Sequence, residues 1–422
     1  MRSLSVSVIV LVCLLAPRSE AEKSPLERRL AQVRKLYAKK PGGFDKIFAP
    51  SFLRAIPPDK LVPPLVEYHK KGGPVVSVLR VKSMGPNSAE YRFFTKSTVF
   101  PVRLTVDDKP PHLVTGLWFG YQAPRFRELG QVAGALKALP GQVSFAVCQL
   151  GGKAPRQLAA LEPERQLALG STFKLYVLGA LMQSKRPLDQ VLRLRQEWRS
   201  WPSGMLQGWP AGTPVTLATL ADLMISISDN TATDHLLHAL GRPAVEAMLK
   251  VMGHAEPARD LPFLSTREMF LLKERGKGRI KAYLARNVAG RRAYLDRVLA
   301  RDRRKDFAGL DREKPTAIDR VEWFASAADL CRAMDWLRAH DGARQALSIN
   351  DGGITFEESK WRYTGYKGGS EPGVLNLTWL LQRRNRTWYA LTLGWNDPQK
   401  PVETERLLEI AQSAVMVLET KR

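Results

Sequence analysis

The stretch that decides the fold is "GSTFK", residues 170–174, which runs directly into the apolar segment "LYVLGALM". A spacing of three puts Ser171 and Lys174 on one face of a helix, a turn apart. A lysine in apolar surroundings has its charged form penalised, so its pKa falls. A neutral amine beside a hydroxyl can take its proton, so the stretch predicts a buried helix with a nucleophilic serine at its start.

Two further motifs follow in order along the chain. Ser228-Asp229-Asn230 stands at a break between two apolar helical segments, and "YKGGS", residues 366–370, heads the C-terminal hairpin region. S-x-x-K alone is a weak signal, because chance supplies one in most long chains. The ordered set S-x-x-K, S-D-N and K-[TS]-G is the signature of penicillin-binding proteins and class A β-lactamases. The chain therefore resembles that superfamily over residues 126–422.

The resemblance implies a role for each matching residue. Ser171 would be the acylated nucleophile, Lys174 the acylation base or a partner in its proton relay, and Ser228 the carrier of a proton to the leaving group. The resemblance also implies four substrate-binding residues. Asn230 would bind an amide and Lys367 a carboxylate, with Gly369 and Ser370 beside them. The N–H groups of Ser370 and Ser171 would form an oxyanion hole.

Two departures from the superfamily pattern affect the expected chemistry. Gly368 stands at the middle of the third motif, so a carboxylate-binding hydroxyl is missing there, for which Ser370 is a partial substitute. The E-x-x-L-N motif, whose glutamate activates the deacylating water in class A enzymes, is absent from "MGHAEPARDLPFLSTREMFLLK". Glu256 in this segment is a possible deacylation base, whereas Glu268 matches a capping box with Ser265. We therefore expect acylation by β-lactams with slow turnover.

The length of 422 residues suits two or three domains. Residues 1–21 have the positive start, apolar run and small-x-small end of a signal peptide, so the protein is expected in the periplasm or outside the cell. Residues 22–125 have helices followed by strand-like segments and resemble the nuclear-transport-factor or steroid-isomerase fold. Residues 126–422 form the serine hydrolase domain. Within it, residues 273–314 form a basic helical insertion with 15 Lys and Arg against 6 Asp and Glu.

The expected fold class is therefore α+β. A two-lobed β-lactamase or transpeptidase-like domain, with a five-stranded antiparallel sheet and an all-helical lobe, would follow a small cone-shaped α+β domain. This order of domains is similar to that of the serine hydrolase of clavulanic-acid biosynthetic clusters. The similarity is architectural, and it implies nothing here about pathway.

The net charge of +24 predicts attraction to anionic surfaces, such as a cell-wall polymer. Nucleic acid is not expected as a partner of an exported chain without an aromatic-basic motif, and the leader is too short to span a bilayer. Cys148 and Cys331 are expected to be buried free thiols rather than a disulfide. His235 and His238 have metal-ligand spacing but no third ligand in view, so neither a metal nor a cofactor is expected.

Three functions stay open at this level. The first is a serine hydrolase that acts through an acyl-enzyme on an amide or ester, with β-lactams as substrates or slow-turnover ligands. The second is a D,D-peptidase or esterase that acts on cell-wall peptides or small esters. The third is a non-catalytic binding protein, against which the retention of all three motifs argues.

Overall fold

A computed structural model describes most of the chain. The residues described are 23–38, 40–274, 278–299, 302, 311 and 313–420. The predicted signal peptide, residues 1–21, lies outside them. The chain divides into two compact units, Met1–Gln122 and Ala123–Arg422. Within the described ranges, no helix is long and apolar enough to cross a membrane.

The first unit places its helices before its strands. The helices are α1 (Pro25–Leu36), α2 (Pro50–Ala55) and α3 (Pro58–Gly72), and the strands are β1 (Ser77–Ser83), β2 (Ser88–Phe94), β3 (Thr98–Val106) and β4 (Val114–Phe119). The strands pair antiparallel in the order β1-β2-β3-β4. Helix α1 begins after Ser24, which forms a capping box with Glu27. An aromatic cluster between helices and sheet, including Tyr37, Tyr68 and Phe100, fills the core.

The second unit alternates helical and strand segments before a C-terminal run of strands. Its helices are α4 (Leu129–Lys137), α5 (Lys174–Gln183), α6 (Leu217–Ser226), α7 (Asn230–Leu240), α8 (Arg242–Val251), α9 (Thr266–Lys273), α10 (Arg279–Leu284), α11 (Val288–Tyr294), α12 (Ala327–Leu337), α13 (Asp341–Ser348) and α14 (Thr404–Thr420). Its strands are β5 (Ala123–Pro124), β6 (Gln142–Leu150), β7 (Arg156–Leu161), β8 (Leu167–Ala168), β9 (Val191–Arg193), β10 (Pro214–Thr216), β11 (Phe324–Ala325), β12 (Trp361–Glu371), β13 (Val374–Arg383) and β14 (Trp388–Asn396).

The main sheet of this unit has five antiparallel strands in the order β12-β13-β14-β6-β7. Strand β12 is therefore an edge strand, and its residues Lys367 and Gly369 lie opposite Thr378 and Asn376 of β13. The sequence pattern predicts the β13–β14 hairpin, and the structure confirms it. The third motif does not head that hairpin, because it lies in the second half of the separate strand β12.

Two hydrophobic cores cover the two faces of the sheet. One core joins the sheet to α4 and α14, with residues such as Val132, Trp379 and Val415. The other holds the helical lobe, in which α5 is buried on every side from Lys174 to Leu181. A helix that is apolar all round belongs in a core, so the buried helix predicted after Ser171 is confirmed.

Cys148 on β6 and Cys331 on α12 form a disulfide, so the expectation of free thiols was wrong. Both side chains are buried in the helical-lobe core, where α12 packs on β6. The two positions are 183 residues apart in sequence, so only the fold brings the thiols together.

The described part of the basic insertion is helical and packed. Tyr283 of α10 and Tyr294 of α11 are buried in the core of the helical lobe. Two of its arginines are paired within the unit: Arg279 with Asp302 at 2.7 Å, and Arg292 with Glu246 at 2.6 Å. Part of the positive charge of this insertion is therefore matched within the unit.

Candidate active site

Ser171 lies in a short 3-10 turn, Gly170–Phe173, which leads directly into α5. Gly170 has a φ of +49°, and a Cβ atom there would lie 2.8 Å from the backbone nitrogen of Ser370. A glycine is therefore required before the serine, and the turn brings Ser171 against strand β12. The side chain of Ser171 is half-buried at this junction.

Lys174, at the first position of α5, is fully buried. Its Nζ donates to the carbonyl of Ser228 at 2.6 Å, to the Ser228 hydroxyl at 3.0 Å and to Asn230 Oδ1 at 2.6 Å. Burial, and after it the positive charge of Lys367, hold the pKa of Lys174 well below its ordinary value. The lowered pKa that the sequence predicts is therefore confirmed, and it favours the neutral amine that a proton acceptor needs.

Ser228 stands between α6 and α7, and its hydroxyl connects the first and third motifs. Its Oγ accepts from Lys174 Nζ at 3.0 Å and from Lys367 Nζ at 3.1 Å. The residue has a φ of +59°, a left-handed conformation that costs a non-glycine residue free energy. The strained turn is the break predicted between the two helices, and it aims the hydroxyl at both lysines.

The two residues after Ser228 hold this turn in place. Asp229 caps α7 by accepting from Ala232 N at 2.8 Å, and its other carboxylate oxygen accepts from Met205 N at 2.7 Å. Asn230 is buried, its Oδ1 accepts from Lys174, and its Nδ2 donates to the carbonyl of Trp201 at 3.0 Å. The amide of Asn230 therefore has a fixed orientation.

Lys367 is buried on strand β12 and faces the helical lobe. Its Nζ donates to the Ser228 hydroxyl and to the carbonyl of Gly368. Burial lowers its pKa to about 7, so its charge depends on pH in the physiological range. The predicted carboxylate-binding lysine and the predicted base, Lys174, therefore contact the same hydroxyl, that of Ser228.

Gly369 is the point where the third motif meets the first. A Cβ atom there would lie 2.1 Å from the carbonyl oxygen of Leu169, 2.4 Å from Ser171 N and 2.5 Å from Thr172 N. Any side chain would separate β12 from the turn that carries Ser171, so only glycine fits. Ser370 follows with an exposed side chain. The geometry brings together the six predicted residues Ser171, Lys174, Ser228, Asn230, Lys367 and Gly369, with Ser370 beside them.

The two glutamates in the segment that lacks the E-x-x-L-N motif have different surroundings. Glu256 is exposed in the turn after α8, where its N–H donates to His254 Nδ1 at 3.0 Å. Glu268 forms the predicted capping box with Ser265 and pairs with Arg242 at 2.7 Å, which confirms its structural role. Within the described residues, no carboxylate hydrogen-bonds to Lys174 or Lys367.

The two histidines with metal-ligand spacing have other partners in the structure. The backbone N–H of Arg195 donates to His235 Nε2 at 2.8 Å, and His235 Nδ1 lies 2.7 Å from the carbonyl of Thr231. These contacts define the neutral tautomer with hydrogen on Nδ1, and burial lowers the pKa of His235. His238 stacks on Trp198 with ring centroids 5.0 Å apart. Both rings serve the packing of α7.

A buried ionic group at the end of β12 was missed by the sequence reasoning. Lys273 Nζ lies 2.6 Å from Glu322 and also contacts Glu371, the residue after Ser370. Burial raises the pKa of Glu371 well above its ordinary value, and the nearby Glu322 adds to this effect. The sequence signal for this group was Glu371, which follows the third motif closely. The residues near it in sequence do not indicate which cation it contacts.

Residues 127–293 match the model of the β-lactamase enzyme family, a span that includes the first and second motifs. Solved structures similar to this chain include a β-lactamase from Sphaerobacter thermophilus (20% identity, 69% of this chain and 96% of that chain, TM-score 0.47) and the protein PBP-A (15%, 71% and 100%, 0.46). A β-lactamase from Francisella tularensis is also similar (13%, 68% and 97%, 0.47). The five-stranded antiparallel sheet with its terminal helices and helical lobe agrees with the architecture expected from the three motifs.

Proposed function

We propose that this protein is a serine hydrolase that acts on an amide or ester through an acyl-enzyme at Ser171. The observation that carries the proposal is the Ser228 hydroxyl, which accepts hydrogen bonds from both Lys174 and Lys367. One hydroxyl in contact with a depressed-pKa amine and with a cation that can hold a ligand carboxylate is an arrangement for moving protons beside an anionic substrate.

The acylation step can be written from the roles that we propose for these groups. Ser171 Oγ attacks the carbonyl carbon while neutral Lys174 takes the hydroxyl proton. The N–H groups of Ser171 and Ser370 stabilise the developing oxyanion. The bond to the leaving nitrogen or oxygen then breaks, and Ser228 passes that atom a proton, which Lys174 replenishes. Asn230 and Lys367 hold the substrate amide and carboxylate.

Deacylation needs a water molecule and a group that accepts its proton. Glu256 is exposed in its turn and Glu268 is paired with Arg242, so neither is in a position that supports this role. We propose that Lys174, once neutral again, is then the acceptor. We infer slow hydrolysis of the acyl-enzyme, which makes β-lactams slow-turnover ligands and points to a part in the response to these antibiotics.

A second candidate is a D,D-peptidase or esterase that acts on cell-wall peptides. The net charge of +24 favours it, because a strongly basic protein concentrates at anionic wall polymers. This candidate goes with export to the periplasm or the medium, which we propose from the N-terminal leader.

We also propose a fold for the first unit. Its order of helices followed by antiparallel strands supports a nuclear-transport-factor or steroid-isomerase-like domain. Together with the hydrolase domain it would give the arrangement of the clavulanic-acid-cluster serine hydrolase, and we propose no catalytic role for it.

Intact-mass spectrometry of the mature protein with benzylpenicillin, followed over time, tests the proposal, with Ser171→Ala as the control. We expect an adduct on the wild type that persists and is absent from the variant. Rapid hydrolysis that is lost in Glu256→Gln would instead make Glu256 an efficient base. An adduct on Ser171→Ala, or none on the wild type with penicillins and small esters, would contradict a Ser171 acyl-enzyme and favour a binding protein.

A further inference from the structure

We propose that the Tyr366 hydroxyl supplies the hydrogen-bond donor that the third motif lacks at Gly368, and that it selects ligands with a carboxylate beside the reactive acyl group. This inference rests on the proposed function, since it assigns a contact to the ligand that Ser171 would attack. It also names a residue outside the three motifs as part of the binding site.

Tyr366 covers Gly368, its neighbour two residues along β12. A Cβ atom built on Gly368 would lie 1.9 Å from the phenol oxygen and 2.6 Å from Cζ of Tyr366. Side chains two residues apart on a strand point to the same face, which allows this overlap. The phenol oxygen thus occupies the place from which a threonine or serine side chain at position 368 would extend.

The ring of Tyr366 is held firmly in this place. On one side, the backbone of Gly352 is so close that a Cβ there would lie 2.8 Å from ring atoms. On another, the ring packs against Trp379 with centroids 4.9 Å apart. Trp379 in turn donates from Nε1 to the carbonyl of Asp351 at 2.9 Å, which fixes the loop that holds the ring. The hydroxyl is therefore positioned before any ligand arrives.

Tyr366 and Lys367 are neighbours on β12, so their side chains leave the strand on opposite faces, and each of them contacts Gly368. Lys367 Nζ donates to the carbonyl of Gly368 and to the Ser228 hydroxyl, while the phenol lies over the Cα side of Gly368. The loop over Tyr366 is tied to the same end of the site, because Asn350 Nδ2 donates to the carbonyl of Ser226 at 2.8 Å. A carboxylate held by the ammonium through one oxygen has its second oxygen available for the phenol.

The Tyr366 hydroxyl also has donor capacity to spare. It makes no hydrogen bond within the described part of the chain, whereas Tyr363, on the same strand, donates to the carbonyl of Arg344 at 2.7 Å. Burial raises the pKa of Tyr366, so its hydroxyl keeps its proton at neutral pH and can donate. A purely structural role, in which the ring shields an edge-strand glycine, would need the ring but not the hydroxyl.

The variant Tyr366→Phe separates these roles, because it keeps the ring and removes only the oxygen. The second-order rate constant of acylation is measured by intact-mass spectrometry with benzylpenicillin and with its methyl ester, in which the carboxylate is blocked. We expect the rate with the acid to fall roughly tenfold to a hundredfold, as for a lost hydrogen bond to a charged group, and the rate with the ester to stay unchanged. Tyr363→Phe is the matched control and should leave both rates unchanged.

The outcomes distinguish this inference from the proposed function. If the wild type is acylated and Tyr366→Phe reacts with the acid at the wild-type rate, the inference is overturned while the proposed function stands. An equal loss with acid and ester also overturns it, since the hydroxyl would then not act on the carboxylate. If the wild type reacts with neither compound, the carboxylate contact fails, and if it reacts with no small ester either, the proposed function fails too.

A rescue pair gives a second, independent readout. Tyr366→Leu removes the hydroxyl and opens space over Gly368, and Gly368→Thr in that background puts a hydroxyl back from the other residue. We expect the double variant to recover at least tenfold over Tyr366→Leu with benzylpenicillin, and to recover nothing with the methyl ester. A folded double variant without recovery with benzylpenicillin would count against the inference that the Tyr366 hydroxyl replaces one at position 368.

Discussion

Two kinds of buried lysine lie in the second unit, and they differ in what surrounds them. Lys174 and Lys367 contact hydroxyl, amide and carbonyl oxygens, and burial lowers the pKa of both. Lys273 is equally buried but contacts the carboxylates of Glu322 and Glu371. Burial lowers its pKa too, but the two carboxylates outweigh burial and raise it.

The difference shows that burial alone does not make a lysine reactive. What separates the two kinds is the presence of acid partners, which stabilise the ammonium form and keep it protonated. Lysines without carboxylate partners are therefore suited to proton transfer. Lys273, which has two such partners, joins α9 to the end of β12. Each of the following predictions breaks or sharpens this contrast.

The largest effect is expected for Lys174→Ala. Removing the proton acceptor should lower the acylation rate with benzylpenicillin by about 10²–10⁴-fold. The change also leaves buried oxygens of Ser228 and Asn230 without their donor, so the melting temperature should fall as well. Intact-mass kinetics and a thermal melt measure the two effects. A variant that acylates at close to the wild-type rate would remove Lys174 from the mechanism.

Lys273→Met should mainly affect stability, whereas Lys174→Ala mainly affects the acylation rate. The change leaves Glu322 and Glu371 buried without their cation, which should cost about 3–5 kcal/mol in free energy of unfolding. Urea denaturation measures it. Adding Glu322→Gln and Glu371→Gln removes both unpaired charges and should restore most of the loss. Equal instability of the single and triple variants would argue against charge as the cause.

The pH dependence of binding should report on Lys367. Its pKa of about 7 means that the side chain is charged below that pH and neutral above it. Affinity for a carboxylate ligand should therefore fall as pH rises above about 7, by up to roughly tenfold per pH unit, since one pKa unit corresponds to 1.36 kcal/mol. Affinity for the methyl ester should not follow this fall. Acid and ester profiles that run parallel up to pH 9 would contradict a titrating Lys367.

The smallest effect on stability is expected for Ser228→Gly. Glycine adopts the φ of +59° without strain, so the free energy of unfolding should rise by about 1 kcal/mol while acylation slows. Arg386→Gly is the matched control, because Arg386 has a φ of +69° in the β13–β14 hairpin and should gain stability without loss of activity. If Ser228→Gly loses stability and Arg386→Gly gains it, the Ser228 hydroxyl contributes more to the fold than its strain costs.

The sequence predicts those parts of the fold that depend on patterns among neighbouring residues. The spacing of Ser171 and Lys174, the break at Ser228 and the alternation of the β13–β14 hairpin each depend on neighbouring residues. Strand β12 escapes such reasoning because three glycines in "WRYTGYKGGSE" weaken its strand pattern. Its position depends on tertiary contact, since Gly369 must fit against the turn of Ser171.

Contacts between distant residues account for the rest. Lys273 meets Glu322 and Glu371 across 49 and 98 residues, and Cys148 meets Cys331 across 183. Such pairs do not depend on the helix or strand periodicity that sequence reasoning uses. The candidate site was predictable where motifs carry it, whereas the donor argued for Tyr366 depends on where the fold places an aromatic ring.

The overlap of Tyr366 with position 368 also limits how the third motif can change over generations. A Cβ at residue 368 would lie 1.9 Å from the phenol oxygen, so threonine has no room there while the ring keeps its place between Gly352 and Trp379. The two substitutions are therefore ordered: the tyrosine must go first. The intermediate would have neither hydroxyl, so a lineage that starts from this sequence reaches the Lys-Thr-Gly form only through a step that lacks both.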